Sequence, residues 1–312
     1  MTTNTILDST SSPAAAAGTW RLGDVTVNRV GYGSMRVAGM PWEPARPREA
    51  SLAVLRRAVE LGVNHLDTAA FYFTPLRSSN ELISTALQPY GDDLVIATKV
   101  GPARSRDGRF EAMARPEQLR AQVEENLRQL GRDHLDVVNL RWGTGHDRDD
   151  GSVAEHVGAL GELRDAGLVR NIGLSNVVAA QLTEALTVAP IVCVQNRYGL
   201  TERASEDVLE LCGRHGIAFV PFFAVVGVEP GPQAAASAGV SAGQVEVEAV
   251  ASAHGATAAQ VRLAWTLHRG AHVLAIPGTG SVAHLEENVA AGALRLSGDE
   301  LALLDGVAAP VG

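Results

Sequence analysis

A chain of 312 residues, 46% hydrophobic and 20% charged, is long enough to bury a large core as one big barrel or two ordinary domains. A formal net charge of −9 with no Lys/Arg-rich run argues against nucleic acid or an anionic membrane surface as the main partner and favours a small molecule. No apolar run approaches the roughly twenty residues that span a bilayer, so no membrane segment is expected. Cys193 and Cys212 are the only two cysteines, one within an apolar strand-like run and one within a helix-like run. They read as reduced core thiols of a cytoplasmic protein, with no disulfide framework and no zinc or other metal spacing.

Residues 1–18 are rich in Ser, Thr and Ala and carry Asp8 with no basic segment before a long apolar stretch, so they predict a disordered tail and not a secretory signal. Residues 19–312 then read as one domain. The alternating run TWRLGDVTV around Trp20–Val27, with Gly-Asp at its centre, predicts a β-hairpin that plugs one end of the fold. Beyond it, apolar runs of four to seven residues alternate with amphipathic stretches of ten to fifteen, the pattern of βα units.

Eight strands are predicted: Val30–Gly33, Asn64–Asp67, Leu94–Lys99, Leu135–Leu140, Val169–Leu174, Ile191–Gln195, Ala218–Phe222 and Val273–Ile276. Helical spacing covers Arg48–Leu61, Asn80–Leu87, Pro116–Leu130, Ser152–Ala166, Val178–Leu186, Ser205–Arg214, Ala258–His268 and Ser281–Ala291. Eight such units favour a single (β/α)8 TIM barrel, of class α/β, over two doubly wound domains, and no GxGxxG follows the first strand. A closed barrel needs no partner to cover sheet edges, so a monomer is expected, with an oligomer the alternative. Val226–Gly243, rich in Gly, Pro and Ala, reads as a long loop after strand seven.

In such a barrel, polar residues at the C-terminal ends of strands are the ones to explain, because strand interiors are apolar and active sites sit on that face. The stretch GVNHLDTAAFY, Gly62–Tyr72, places Asp67 at the end of strand two and Tyr72 on the loop beyond; alternatively, Asp67 caps a helix and Tyr72 packs into the core. Lys99 ends strand three, Arg141 follows strand four, Ser175 and Asn176 follow strand five, and Gln195, Asn196 and Tyr198 follow strand six. A Lys ending a buried strand needs a partner, and Asp67 on the neighbouring strand is suitable. The same ammonium near Tyr72 would lower the pKa of a phenol, making it a usable proton donor near neutral pH, which is the logic of carbonyl reduction. His134 precedes strand four, at the wrong end to act as the acid, and His146 reads as a solvated loop residue.

The motifs LDTAAFY, IATKVG, IGLSN, VQNRY and IPGTGSVAHLEEN, in this order from about Arg21 onward, resemble the aldo-keto reductases. The resemblance implies that Asp67, Tyr72 and Lys99 match three members of a catalytic tetrad, with Tyr72 the acid and NADPH the hydride donor. Most relatives place a His where this chain has Arg141. The runs LDVVNLR, IVCVQN and VPFF are most similar to the bacterial pyridoxal reductase branch, which carries Arg there. A guanidinium at that place suits a carbonyl oxygen gaining charge or the phenolate of a pyridoxal ring.

By the same resemblance Ser175, Asn176 and Gln195 hold the nicotinamide carboxamide and Phe222, usually Tyr, stacks under the ring. Gly278, Thr279, Ser281, His284, Glu287 and Asn288 hold the adenosine phosphate, with Ser281 at a helix N-terminus. Two departures stand out. Gly280 replaces a basic residue expected to meet the 2′-phosphate, leaving His284 as the nearest cation, and Ala224-Val225-Val226 replaces Pro-Leu-Gly. The expected activity is an NADPH-dependent aldehyde reductase with pyridoxal as the leading substrate. A biosynthetic reductase of a ketone, enone or deoxysugar is the rival enzyme, and a non-catalytic NADPH-binding barrel is the rival of a different class, against which intact Asp67, Tyr72 and Lys99 speak.

Overall fold

The computed structural model describes residues 12–39, 46–105, 109–145, 148–225 and 243–307. Strands β1 (Thr19–Leu22) and β2 (Val25–Asn28) form the expected antiparallel hairpin, with Trp20 opposite Val27. Seven parallel strands follow: β3 (Tyr32–Gly33), β4 (His65–Asp67), β7 (Val95–Val100), β10 (Leu135–Arg141), β11 (Val169–Ser175), β12 (Ile191–Gln195) and β13 (Ala218–Phe219), each hydrogen-bonded to the next. The eighth expected strand is reduced to two parallel bridges, Phe219 to Val273 and Val30 to Ala275. These two bridges close the ring. Leu274 N donates to the Phe219 carbonyl and Ala275 N to that of Arg29, both within ordinary hydrogen-bond length, so neither edge of the sheet stays open.

Helices α1 (Arg48–Glu60), α2 (Ser79–Leu87), α3 (Leu119–Leu130), α4 (Ala154–Asp165), α5 (Ala179–Val188) and α6 (Glu206–His215) alternate with the strands as predicted. Three more follow the described part of strand seven: α7 (Gln244–His254), which the sequence reading did not assign, then α8 (Ala258–His268) and α9 (Val282–Ala290). Helix α10 (Gly298–Asp305) is also additional, capped by Ser297 and Glu300 in a reciprocal box. Two short hairpins went unread because strands of two to four residues carry no periodic signal: β5–β6 (Phe73–Thr74, Arg77–Ser78) and β8–β9 (Pro102–Arg104, Phe110–Met113).

The tail expected over residues 1–18 is corrected at its end. Pro13–Ala17 forms a 3-10 turn with Ala14 fully buried, tied by Ala14 N to the Leu61 carbonyl. Most of the expected loop Val226–Gly243, residues 226–242, lies outside the described residues, as does His146. Among the described residues no helix is long and apolar enough to cross a membrane.

Strand alternation sorts the core into two. Ile96, Val138, Leu140, Leu174 and Val194 face the helices, whereas Leu22, Val27, Val95, Ala97, Val137, Cys193 and Leu274 pack together inside the barrel. The hairpin residues Leu22 and Val27 therefore stopper the N-terminal end of the barrel. Continuing the same inward phase toward the C-terminal ends brings polar residues to the inner face: Asp67, Lys99, Asn139, Arg141, Ser175 and Gln195.

Below Asp67, His65 occupies the same inner face, 1% exposed, with its Nδ1 lacking a partner. Burial pushes its imidazole down to about 4. A folded pKa below that of the unfolded chain means the neutral form stabilises the fold, and the contribution is lost as pH falls below the unfolded value of about 6.5. The wild type should therefore lose about 2 kcal/mol through this group between pH 7 and pH 5. Urea denaturation of wild type and His65→Gln at the two pH values checks this, the variant showing the smaller loss.

Candidate active site

The inner-face polar residues reach one place because adjacent strands carry them at matching heights. Lys99 pairs in register with Asn139, and Arg141, Ser175 and Gln195 form a row across three strands. Lys99 Nζ donates to Asp67 Oδ1 at 2.5 Å and to the Thr68 carbonyl at 3.0 Å. Gln195 Nε2 donates to the other carboxylate oxygen of Asp67 at 2.6 Å. Both members of the ion pair are 4% exposed, so neither charge is hydrated and each needs the other. Lys99 Nζ also stands 4.8 Å from the centroid of the Tyr72 ring. Burial alone would lower the ammonium pKa, but Asp67 and Tyr72 together outweigh it and hold Lys99 above its ordinary value.

A polar network behind the sheet fixes the Thr68 backbone. The Thr68 hydroxyl donates to Asn80 Oδ1 at 2.7 Å, and Asn80 Nδ2 donates to Asn126 Oδ1 at 3.0 Å. Thr98 reaches the same Asn126 oxygen at 2.6 Å. Strands β4 and β7 are thereby tied to helices α2 and α3 through fully buried, hydrogen-bonded side chains.

Of the residues expected near a nicotinamide, two present buried atoms without partners. Ser175 Oγ and Gln195 Oε1 are enclosed and unbonded, although the Gln195 amide nitrogen is committed to Asp67. A buried acceptor left unmade is costly, and a carboxamide NH2 is the kind of donor that satisfies it. Asn176, with φ of 62°, takes the left-handed conformation and donates from Nδ2 to the Trp142 carbonyl at 3.0 Å. Arg141 is 6% exposed, donates from Nη2 to the Gly145 carbonyl at 2.7 Å, and has its Cζ 5.7 Å from the Phe222 ring centroid.

A cavity of about 330 Å³ runs from Asp67 and Tyr72 past Phe222 and Gly278 to Thr279, His284, Glu287 and Asn288, the segment expected to hold the adenosine phosphate. Ser281 is not on its wall but caps α9, its hydroxyl accepting from His284 N. Two glycines bring the cavity floor together. A Cβ on Gly33 would meet the Ile276 carbonyl at 2.6 Å, and one on Gly278 would meet that of Gly33 at 2.7 Å. Met35 and Arg36 also line the cavity and were missed in the sequence, although they follow the first barrel strand at its C-terminal end, where the barrel rule points. Among the described residues no three His, Cys, Asp or Glu side chains gather as a metal site.

Residues 29–309 match the model of the Aldo/keto reductase family. The chain is 44% identical over 295 residues to pyridoxine 4-dehydrogenase of Escherichia coli K12, covering 94% of this chain and 99% of the relative. Among solved structures, an aldo/keto reductase from Klebsiella pneumoniae in complex with NADP and acetate superposes with a TM-score of 0.73 at 28% identity, over 92% of this chain and 94% of that one. Another from the same organism, in complex with NADPH, gives 0.74 at 29%, over 92% and 93%.

The geometry makes the ion pair's energetic role testable. Lys99→Met leaves Asp67 buried with no cation, so it should destabilise the fold by about 3 kcal/mol or more. Adding Asp67→Asn removes the orphaned charge and should recover a large part of that loss. Urea denaturation of the single and double variants measures both.

Proposed function

The chain belongs to the aldo/keto reductase family and is an oxidoreductase of that type; from this premise we propose that it is an NADPH-dependent aldehyde reductase in which Tyr72 is the proton donor, and that its substrate is pyridoxal or a close pyridine aldehyde. The observation that carries the proposal is the Lys99 ammonium, held by Asp67 on one side and placed 4.8 Å from the Tyr72 ring on the other, with Asp67 and Tyr72 on the wall of the cavity. NADPH, held along this cavity, would supply a hydride to the carbonyl carbon. As the carbonyl oxygen gains negative charge, Tyr72 delivers its hydroxyl proton to that oxygen, completing the alcohol. The phenolate left behind faces the Lys99 charge, and Asp67, anchored in turn by Gln195, keeps that charge in place.

Gln195 Oε1 and Ser175 Oγ, both buried and unbonded, would take the carboxamide NH2, with Asn176 alongside. Phe222 offers the π face for the nicotinamide. Gly278, Thr279, His284, Glu287 and Asn288 line the other part of the cavity, where the adenosine phosphate would lie, with Ser281 capping the adjacent helix.

The substrate proposal rests on the pyridoxine 4-dehydrogenase relative, since oxidation of that alcohol is the reverse of pyridoxal reduction, and on Arg141. Its guanidinium is oriented by the Gly145 carbonyl and lies beside Phe222, so it would sit next to the nicotinamide at the substrate ring. We assign it to the ionised ring hydroxyl of the pyridine, a group that simple aldehydes lack.

Loss of reduced-nicotinamide absorbance with a panel of aldehydes tests the activity, and pyridoxal should be among the best substrates. Tyr72→Phe should lower kcat at least a hundredfold while leaving the Kd for NADPH within about threefold, because it removes the donated proton and little else. Activity within tenfold of wild type would remove Tyr72 from its role.

Arg141→Ala should raise KM for pyridoxal about tenfold or more, with kcat changed less and simple aldehydes little affected, as expected for an interaction made equally in ground and transition states. A fall in kcat of roughly 10² on every aldehyde would instead assign Arg141 to the carbonyl oxygen.

A further inference from the structure

Gly280 leaves no side chain at the place where the resemblance expects a cation for the 2′-phosphate. The fold fills that space from a distant part of the chain. A Cβ on Gly280 would lie 1.2 Å from Nη1 of Arg46 and 2.4 Å from its Cζ. The Arg46 guanidinium thus occupies the volume that a side chain at position 280 would take. Nη1 donates to the Arg36 carbonyl at 3.4 Å, and Arg36 itself lines the cavity with Thr279 and His284. Tyr32, whose hydroxyl donates to the Thr279 carbonyl at 2.5 Å, also feels the Arg46 charge.

The opposing charge at this end is Glu287, on the same cavity wall. A carboxylate there favours a ribose hydroxyl over a phosphate, as acidic residues do in dinucleotide sites that select NAD. With a net charge of −9, the diffuse field of the protein also disfavours a dianion. Selecting a phosphorylated ribose therefore needs a local cation with fixed geometry, and an Arg fork binds phosphate through two parallel N–H bonds.

We propose that Arg46, with Arg36 beside it, recognises the 2′-phosphate of NADPH and sets the preference for NADPH over NADH, and that Gly280 is the space that admits it. The proposal rests on the cofactor reading above and adds to it a residue from the segment between the first barrel strand and α1, outside the Gly278–Asn288 segment.

The test is the binding of NADPH and NADH, followed by nucleotide fluorescence, and of adenosine 2′,5′-bisphosphate and adenosine 5′-monophosphate, which differ only in the 2′-phosphate. For Arg46→Ala the Kd of NADPH should rise roughly tenfold or more, the usual consequence of losing a charge-assisted bond, while that of NADH stays within twofold. The bisphosphate should lose its advantage over the monophosphate. Adding Gly280→Lys to Arg46→Ala should restore much of the NADPH preference, which a merely structural role for Arg46 would not allow. Equal weakening of both dinucleotides, or an unchanged ratio between them, would overturn the proposal. A wild type that binds neither dinucleotide would overturn the cofactor reading itself, and this assignment with it.

Discussion

An ammonium with 4% of its surface exposed survives only beside an anion, and the pairing of Lys99 with Asp67 ties the chemistry of this protein to its architecture. Each strand that bears one of these residues depends on the other for its electrostatic balance. The pair sits on the inner face where β4 and β7 end, so any slip in their register would leave two unmatched charges in the barrel. Gln195 adds a third strand to the arrangement through the second oxygen of Asp67. Both oxygens of that carboxylate thus accept a hydrogen bond, and the ammonium is held beside the Tyr72 ring.

What makes such a polar cluster tolerable is the division of the barrel along its axis. Apart from His65, the interior below the cluster is apolar, closed by Leu22 and Val27 of the hairpin and filled by Val95, Ala97, Val137 and Cys193. Small residues leave room where larger side chains cross. A Cβ on Gly173 would come within 2.1 Å of the Asn139 side chain and 2.6 Å of the Cys193 sulfur. Burial drives the thiol of Cys193 upward and that of Cys212 to about 12, so both stay protonated and act as small hydrophobes. The hydrophobic stopper at one end and the cavity at the other leave the barrel open on its C-terminal face, where active sites of such barrels sit.

The cavity on that face is shaped by backbone as much as by side chains. The close approach of Gly33 and Gly278 brings the first strand and the segment after the last bridge to within contact, and the Tyr32 hydroxyl bonds the same segment through Thr279. Where the chain has no side chain at Gly280, it has a guanidinium from Arg46. The proposed cofactor recognition would therefore be a property of two segments that meet at the cavity, with neither carrying it alone.

The sequence by itself determined the kind of fold and most of the buried polar cluster. Apolar runs between amphipathic stretches are legible because helix and strand periodicities are local, and a Lys, an Asp or a Gln ending such a run is conspicuous against a buried interior. Asp67, Lys99, Arg141, Ser175 and Gln195 could be named on that ground, and Tyr72 through its spacing from Asp67. Three things only the tertiary structure decided. The last strand reduces to two bridges, because closure depends on where Phe219 and Arg29 arrive and not on the apolar run Val273–Ile276 itself. The Gln195 amide nitrogen serves Asp67 while its Oε1 stays buried without a partner, since a side chain with both donor and acceptor is assigned only by its neighbours. The cation beside Gly280 is Arg46, more than two hundred positions away in the chain, and no local pattern marks a contact whose partners meet only when the barrel closes.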